Sequence, residues 1–190
     1  KIRSLAPTHV IVNVDENRKA TADALAKFVP SVIVTHPLGP LDNRALYRQI
    51  GKAFGKEREA ELLCDRFDVA FRAVQSRNFA RKKVLYLIWK DPWMTVSRDT
   101  YISRTLALFG LETVPASAEA RYPALADLRP HGAELILLST EPYRFNDRHR
   151  DELRRQLGLP VFLIDGEMTS WYGPRAIAGL DYLADFAGAL

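Results

Sequence analysis

Residues 81–89 read Arg-Lys-Lys-Val-Leu-Tyr-Leu-Ile-Trp, a basic turn followed from position 84 by an unbroken apolar run. A continuous run of this kind is typical of a strand covered on both faces, as in the parallel sheets of α/β proteins. The pattern downstream keeps the same character. Ser97 or Asp99 offers an N-cap for a helix carrying Tyr101, Ile102, Leu106 and Phe109, closed by Gly110 as a left-handed C-cap. Residues 112–114 read as a short strand and 122–128 as helical, followed by a buried strand over 135–138. A charged helix over 147–157 ends at Gly158, a fourth strand covers 161–164, and a terminal helix spans 174–187. The succession β-α-β-α-β-α-β-α predicts a parallel sheet with helices on both faces, joined by right-handed crossovers.

Upstream, residues 10–14 are β-branched and short, and Asp15 and Asn17 offer N-cap oxygens to a helix carrying Ala20, Ala24, Leu25 and Phe28. Pro30 stops that helix, a second apolar strand covers 31–35, and Pro37, Gly39 and Pro40 mark an irregular connection. From Asp42 the pattern is helical for a long stretch: Leu46, Ile50, Ala53 and Phe54, then Leu63, Phe67, Ala70, Phe71 and Val74, with Gly55 dividing it in two. The second piece, over 56–76, would run about 30 Å at about 1.5 Å per residue, the length of a connecting strut. The expected division is a partial α/β lobe over 1–40, a helical connector over 41–80 and a larger α/β lobe over 81–190.

The composition bounds the function. With 190 residues, 47% apolar and 26% charged, the chain has the balance of a folded globular protein. No apolar run approaches the roughly 18 residues of a membrane-spanning helix, so a membrane role would be peripheral. The single Cys64 has no partner for an internal disulfide or a thiolate metal cage. The 27 basic residues are interspersed with 23 acidic ones, and Arg148, Arg150, Arg154 and Arg155 are balanced by Asp147, Asp151 and Glu152, so nucleic acid is not an expected partner. There is no G-x-S-x-G, no P-loop and no G-x-G-x-x-G after a strand.

In an open parallel sheet, ligands bind outside the carboxyl ends of the strands. The loops there are rich in rings: Trp89, Lys90, Asp91, Pro92 and Trp93 after the first strand of the larger lobe; Glu141, Pro142, Tyr143, Arg144 and Phe145 after the third; Asp165, Glu167, Trp171 and Tyr172 after the fourth. All three tryptophans of the sequence fall in these loops. Residues 13–17 and Thr35-His36-Pro37 occupy the equivalent ends of the smaller lobe. An aromatic lining with a few polar groups suits a large flat ligand. Taken singly, Trp89 also reads as the continuation of a buried strand and Tyr172 as packing beneath the last helix, and His36 beside Pro37 reads as a hydrogen-bonded loop residue more readily than as a metal ligand. Glu141, Asp165 and Glu167 are the carboxylates a hydrolase or transferase of this topology would use as acid or base.

Leu5-Ala6-Pro7-Thr8-His9-Val10-Ile11-Val12 running into Glu16-Asn17, the long helix, Ser139-Thr140-Glu141-Pro142-Tyr143, and Asp165-Gly166-Glu167-Met168 leading to Trp171-Tyr172-Gly173-Pro174-Arg175 together resemble the helical-backbone (class III) periplasmic binding proteins of ABC importers. Within that group the likeness is greatest to the cobalamin (vitamin B12) binding proteins. The resemblance implies an α/β fold of two Rossmann-like lobes with parallel sheets joined by one long helix, with ligand held between the lobes and delivered to a membrane permease. It implies a monomer without a resident cofactor, not an enzyme, periplasmic or lipid-anchored at the cell surface, carrying a cobalamin-like corrinoid or an iron chelate such as a siderophore complex. The family's cleft aromatics fall on Trp89, Trp93, Tyr143, Trp171 and Tyr172, to which the loop position of His36 adds a further candidate, and the family's docking acids, one on each lobe, fall on Glu16 in the first and on Glu141 or Glu167 in the second. The family's first lobe normally begins with a further βαβ portion, so the first lobe here is expected to be incomplete and sequence upstream of Lys1 to be missing. Two other readings stay open: an α/β enzyme built on Glu141, Asp165 or Glu167, and a scaffold that kept the fold and lost the ligand.

Overall fold

The computed structural model describes residues 1–116 and 120–190, and the chain divides into two compact units, Lys1–Pro37 and Leu38–Leu190. In the first unit, β1 (His9–Asn13) and β2 (Ser31–Thr35) pair in parallel, His9 opposite Ser31 and Asn13 opposite Thr35, on either side of α1 (Lys19–Ala26) in the chain. Val12, Leu25 and Val29 form its core, with Val10, Ala22, Phe28 and Val32 packed around them. The expected cap from Asp15 or Asn17 is not made. The N-cap position is Arg18, without a side-chain hydrogen bond. The Asn17 side chain instead accepts the N–H of Asn13 at 2.9 Å, closing the turn that leaves β1.

The second unit opens with a 3-10 turn over Pro40–Asp42 and two helices, α2 (Asn43–Phe54) and α3 (Glu57–Gln75), separated by Gly55 in the left-handed conformation. On α3 the residues Ala60, Cys64, Phe67, Phe71 and Val74 recur at spacings of three and four and are buried. That stripe is the face expected of an amphipathic helix packed along one side. It meets α2 and the terminal helix α7 (Arg175–Gly188) in one core with the sheet.

The sheet comprises β3 (Lys82–Trp89), β4 (Met94–Thr95), β5 (Leu111–Thr113), β6 (Leu135–Ser139) and β7 (Val161–Ile164). Strands β5, β6 and β7 run parallel to their neighbours, in the order β5-β3-β6-β7, and β4 pairs antiparallel with the carboxyl end of β3. Residues 84–88 are all buried, as the unbroken apolar run requires. They alternate: Val84, Tyr86 and Ile88 enter the core beneath α3 and α7, whereas Leu85 and Leu87 enter a second core with Phe145 and with Leu153 of α5 (Asp147–Leu157).

Three further expectations are corrected. Residues 122–128 are not helical: Pro123 has no N–H to give a helix, and the segment instead runs beside β4, with Thr95 N–H bonded to Pro123 O at 3.1 Å and Leu125 N–H to Trp93 O at 2.8 Å. The helix after β4, α4 (Tyr101–Ala107), is capped not by Ser97 or Asp99 but by Thr100, whose hydroxyl accepts the Ser103 N–H at 3.2 Å. The strict β-α alternation gains the β4 hairpin and a short helix, α6 (Gly166–Ser170), and among the described residues no helix connects β5 to β6.

Candidate ligand-binding rim

Along the order β5-β3-β6-β7 the chain leaves β3 toward β5 on one side and later enters β6 on the other, so the carboxyl ends of β3 and β6 flank the topological switch point of the sheet. Crossovers diverge there and leave room outside the strands. The end of β3 and the loops after β3 and β6 carry Trp89, Trp93 and Tyr143, and the structure brings these together. Trp89, 39% exposed, meets the Tyr143 ring edge-on at 5.6 Å. Tyr143 leans on Phe145 at 4.6 Å, and Phe145 lies parallel to Trp93 at 6.0 Å. Lys90 Nζ stands 5.7 Å from the centre of the Trp93 ring. Phe145 is buried and ties the rim into the core under α5. The sequence places it in the right loop, but its role as the common partner of Trp93 and Tyr143 emerges only in three dimensions.

Trp171 joins the same edge through a polar contact. Its indole N–H donates to Glu141 Oε2 at 2.9 Å, two residues before Tyr143 on the same loop. The Arg175 guanidinium lies over the indole at 4.9 Å and is ion-paired with Glu167. The ring is 46% exposed, yet it is held on its N–H edge and backed by a cation.

The Tyr172 ring meets Tyr101 of α4 edge-on at 5.8 Å. In the first unit, His36 is exposed with Nε2 3.7 Å from Asp15 Oδ1, and Glu16 is exposed in the turn after β1.

Each carboxylate considered as acid or base has an internal task. Glu141 holds the indole, Glu167 pairs with Arg175, and Asp165 caps α6 by accepting the N–H groups of Glu167 and Met168 at 2.9 and 3.2 Å. Beneath them is a hydroxyl relay. Buried Tyr86 donates to Ser139 Oγ at 3.0 Å, and Ser139 donates in turn to Glu141 O at 2.5 Å. Loss of solvent around the Tyr86 phenol raises its pKa to about 12 despite that bond. Gly166 fits over this relay because a Cβ there would stand 2.6 Å from both Glu141 N and Ser139 Oγ.

The loop bearing Trp171 and Tyr172 is anchored from α2. Asn43 and Tyr47 bond to the N–H and C=O of Gly173, at 2.7 and 2.8 Å. Nothing in the local sequence around Asn43 or Tyr47 signals this, since the partners are more than 120 residues apart. A hollow of about 350 Å³ between α4 and β5 contains none of the candidate residues. Two of its three arginines, Arg98 and Arg104, are paired with Glu112 and Asp99, and it offers no ring for stacking.

No protein-family model and no curated protein matches the sequence. Solved structures do. The periplasmic vitamin B12 binding protein BtuF of Vibrio cholerae superposes with a TM-score of 0.76 at 15% identity, covering 99% of this chain and 76% of that one. The periplasmic heme-binding protein RhuT from Roseiflexus sp. RS-1 gives 0.76 at 21% identity, covering 98% and 79%. S. aureus IsdE, solved in complex with heme, gives 0.75 at 16% identity, covering 98% and 79%. At these identities the likeness is one of fold. The chain has the α/β fold of the helical-backbone (class III) periplasmic binding proteins, as the resemblance in its sequence implies.

Proposed function

We propose that this chain is the substrate-binding protein of an ABC importer, and that it holds a broad, flat metal chelate against the aromatic rim of its larger unit without altering it chemically. The ligand class is a corrinoid, a tetrapyrrole or a ferric siderophore, and the place of action is the periplasm or the outer face of the membrane. One observation carries the reading: Trp89, Trp93, Tyr143 and Phe145 converge at the switch point of the sheet, and Trp171 is tied to the same loop through Glu141. Rings held by packing and hydrogen bonds present a preformed surface, and stacking on such a surface tolerates any guest with a wide π-face. The fold supports the same reading, since BtuF is a vitamin B12 binding protein and IsdE was solved with heme. Among the described residues no helix is long and apolar enough to cross a membrane.

Glu16, exposed on the smaller unit, is the freest of the three acids for docking on a permease. Glu141 and Glu167 would have to exchange their internal partners to serve in that way.

The direct test mixes the protein with cyanocobalamin, hemin or a ferric siderophore, removes free ligand by desalting, and reads the visible spectrum. Colour retained with at least one of them is the expected result. Elution without colour in all three cases overturns the reading.

A further inference from the structure

The hollow between α4 and β5 shares no residue with the rim, and its wall has a chemistry of its own. It lies along β5, which pairs with β3 and, among the described residues, with no strand on its other side. The small residues Ala107 and Gly110 leave the space open. Ser103 of α4 and Thr113 of β5 are 5% and 1% exposed, and their hydroxyls meet at 2.6 Å on the wall of the hollow. One such bond uses one of the two hydroxyl protons, and among the described residues the other proton has no acceptor. A buried donor without an acceptor is costly, so the pair calls for an oxygen from outside. The charges point the same way. Arg98 pairs with Glu112 and Arg104 with Asp99, each through Nη2, which leaves further N–H groups on both guanidiniums. Arg81, immediately before β3, is exposed and among the described residues enters no ion pair. Three guanidinium groups thus face two carboxylates, and one positive charge is unmatched.

We propose that this hollow is a binding site for a phosphate group, either the free ion or the monoester of a small organic molecule. Its donors converge from three parts of the chain: Arg81 before β3, Arg98, Ser103 and Arg104 on and ahead of α4, and Thr113 on β5. The oxygens of a phosphate diverge tetrahedrally and are nearly all acceptors, so one takes the spare hydroxyl proton while others take the Arg81 fork and the remaining N–H groups of Arg98 and Arg104. A planar carboxylate could not reach donors spread in this way. Glu112 and Asp99 hold two of the guanidiniums in position, so less side-chain freedom is lost when the anion arrives. The volume of about 350 Å³ lies at the lower end of the range of small-ligand sites, about 300–1,000 Å³. It has room for a phosphate with a short organic group. The inference does not rest on the reading of the rim, and the two sites would be filled independently.

The test titrates the full chain in a calorimeter with inorganic phosphate and with glycerol 3-phosphate, glycerol alone serving as the control. Saturable binding of at least one phosphate probe, with a Kd below about 1 mM, and none of glycerol is the expected result. Tighter binding of the ester identifies an organic phosphate as the occupant, and equal or tighter binding of inorganic phosphate identifies the free ion. Arg81→Gln is expected to weaken binding by about tenfold or more. Because Arg81 is exposed, that variant is expected to keep the wild-type circular dichroism spectrum. Ser103→Ala combined with Thr113→Val removes both hydroxyls and is expected to weaken binding several-fold. Arg72→Gln takes one charge from the exposed side of α3 and is expected to bind as wild type, which separates a site from the general attraction of a basic protein for anions. Absence of saturable binding with both probes overturns the inference, as does an Arg81→Gln protein that binds no more weakly than Arg72→Gln. Either result leaves the reading of the rim as it stands.

Discussion

Asn43 accepts the N–H of Gly173 at 2.7 Å through its side-chain oxygen, joining the start of α2 to a loop 130 residues later. The same side chain donates to Pro40 O at 2.8 Å and to the Tyr101 hydroxyl at 3.0 Å, and it is wholly buried. Replacing Asn43 with Ala leaves the Gly173 N–H without its acceptor and the Pro40 carbonyl and Tyr101 phenol without their donor. A buried polar group that loses its partner is far more destabilising than an ordinary hydrogen bond is stabilising. The expected loss is about 2–3 kcal/mol of unfolding free energy, measured by urea titration followed by circular dichroism. A loss within error of zero would show that water takes the place of the amide.

Trp171→Ala should leave stability nearly unchanged, within about 0.5 kcal/mol, because the ring is half in solvent. It should weaken retention of whichever chelate binds by about 1–3 kcal/mol, the range for a flat guest that loses one stacking partner. Glu141→Ala removes the acceptor for the indole N–H and is expected to lower affinity in the same direction by less. Titration of the two variants by absorbance separates the cases. Equal affinity in wild type and Trp171→Ala would return the indole to the surface at large.

Gly166→Ala should disturb the rim from below. The added Cβ would press on Glu141 N and Ser139 Oγ, both parts of the hydroxyl relay that sets the loop after β6. Overpacking of this kind destabilises by about 1–3 kcal/mol. The expected signature is a lower urea midpoint accompanied by weaker chelate retention. Weaker retention at an unchanged midpoint would mean that the backbone yields locally.

High pH should destabilise this protein through its buried phenols, since burial raises the pKa of Tyr47, Tyr86, Tyr101 and Tyr182 alike. Burial is the first cause of the upward shift in Tyr86 and in Tyr101, and both are raised from 10.0 to about 12. Each group is neutral in both states below pH 10, so its contribution there is constant. Between about pH 10 and pH 12 the unfolded chain releases a proton that the folded one keeps, and stability falls as pH rises. Each phenol shifts the folding equilibrium by up to roughly tenfold per pH unit in that window. Tyr86→Phe is expected to flatten the slope of the urea midpoint above pH 10. An identical slope in that variant would assign the effect elsewhere.

The course of the chain was legible wherever burial imposed a period. The apolar run at 84–88 announced a doubly covered strand, the helical recurrence from Leu63 to Val74 announced a long one-sided helix, and Gly55 announced the break before it. Errors arose where short-range pattern was overruled by a partner distant in sequence. Residues 122–128 have helical spacing, but Pro123 and the free edge of β4 turn them into an irregular strip. At the rim, the rule of strand carboxyl ends located Trp89, Trp93, Tyr143 and Trp171 together, because topology alone sends those loops to one edge. It says nothing of which side chains meet. That the Tyr172 ring meets Tyr101 of α4 emerges only in three dimensions.

All three indoles of the sequence stand on the edge formed by the loops after β3, β6 and α6, and the rest of the chain has none. Under excitation that selects tryptophan, the emitted light of the whole molecule thus originates within a few side chains of the proposed seat. A coloured guest that settles there would draw off that light by energy transfer, and a guest that settles elsewhere at greater range would draw off less. The protein carries its own optical gauge of occupancy, without any attached dye.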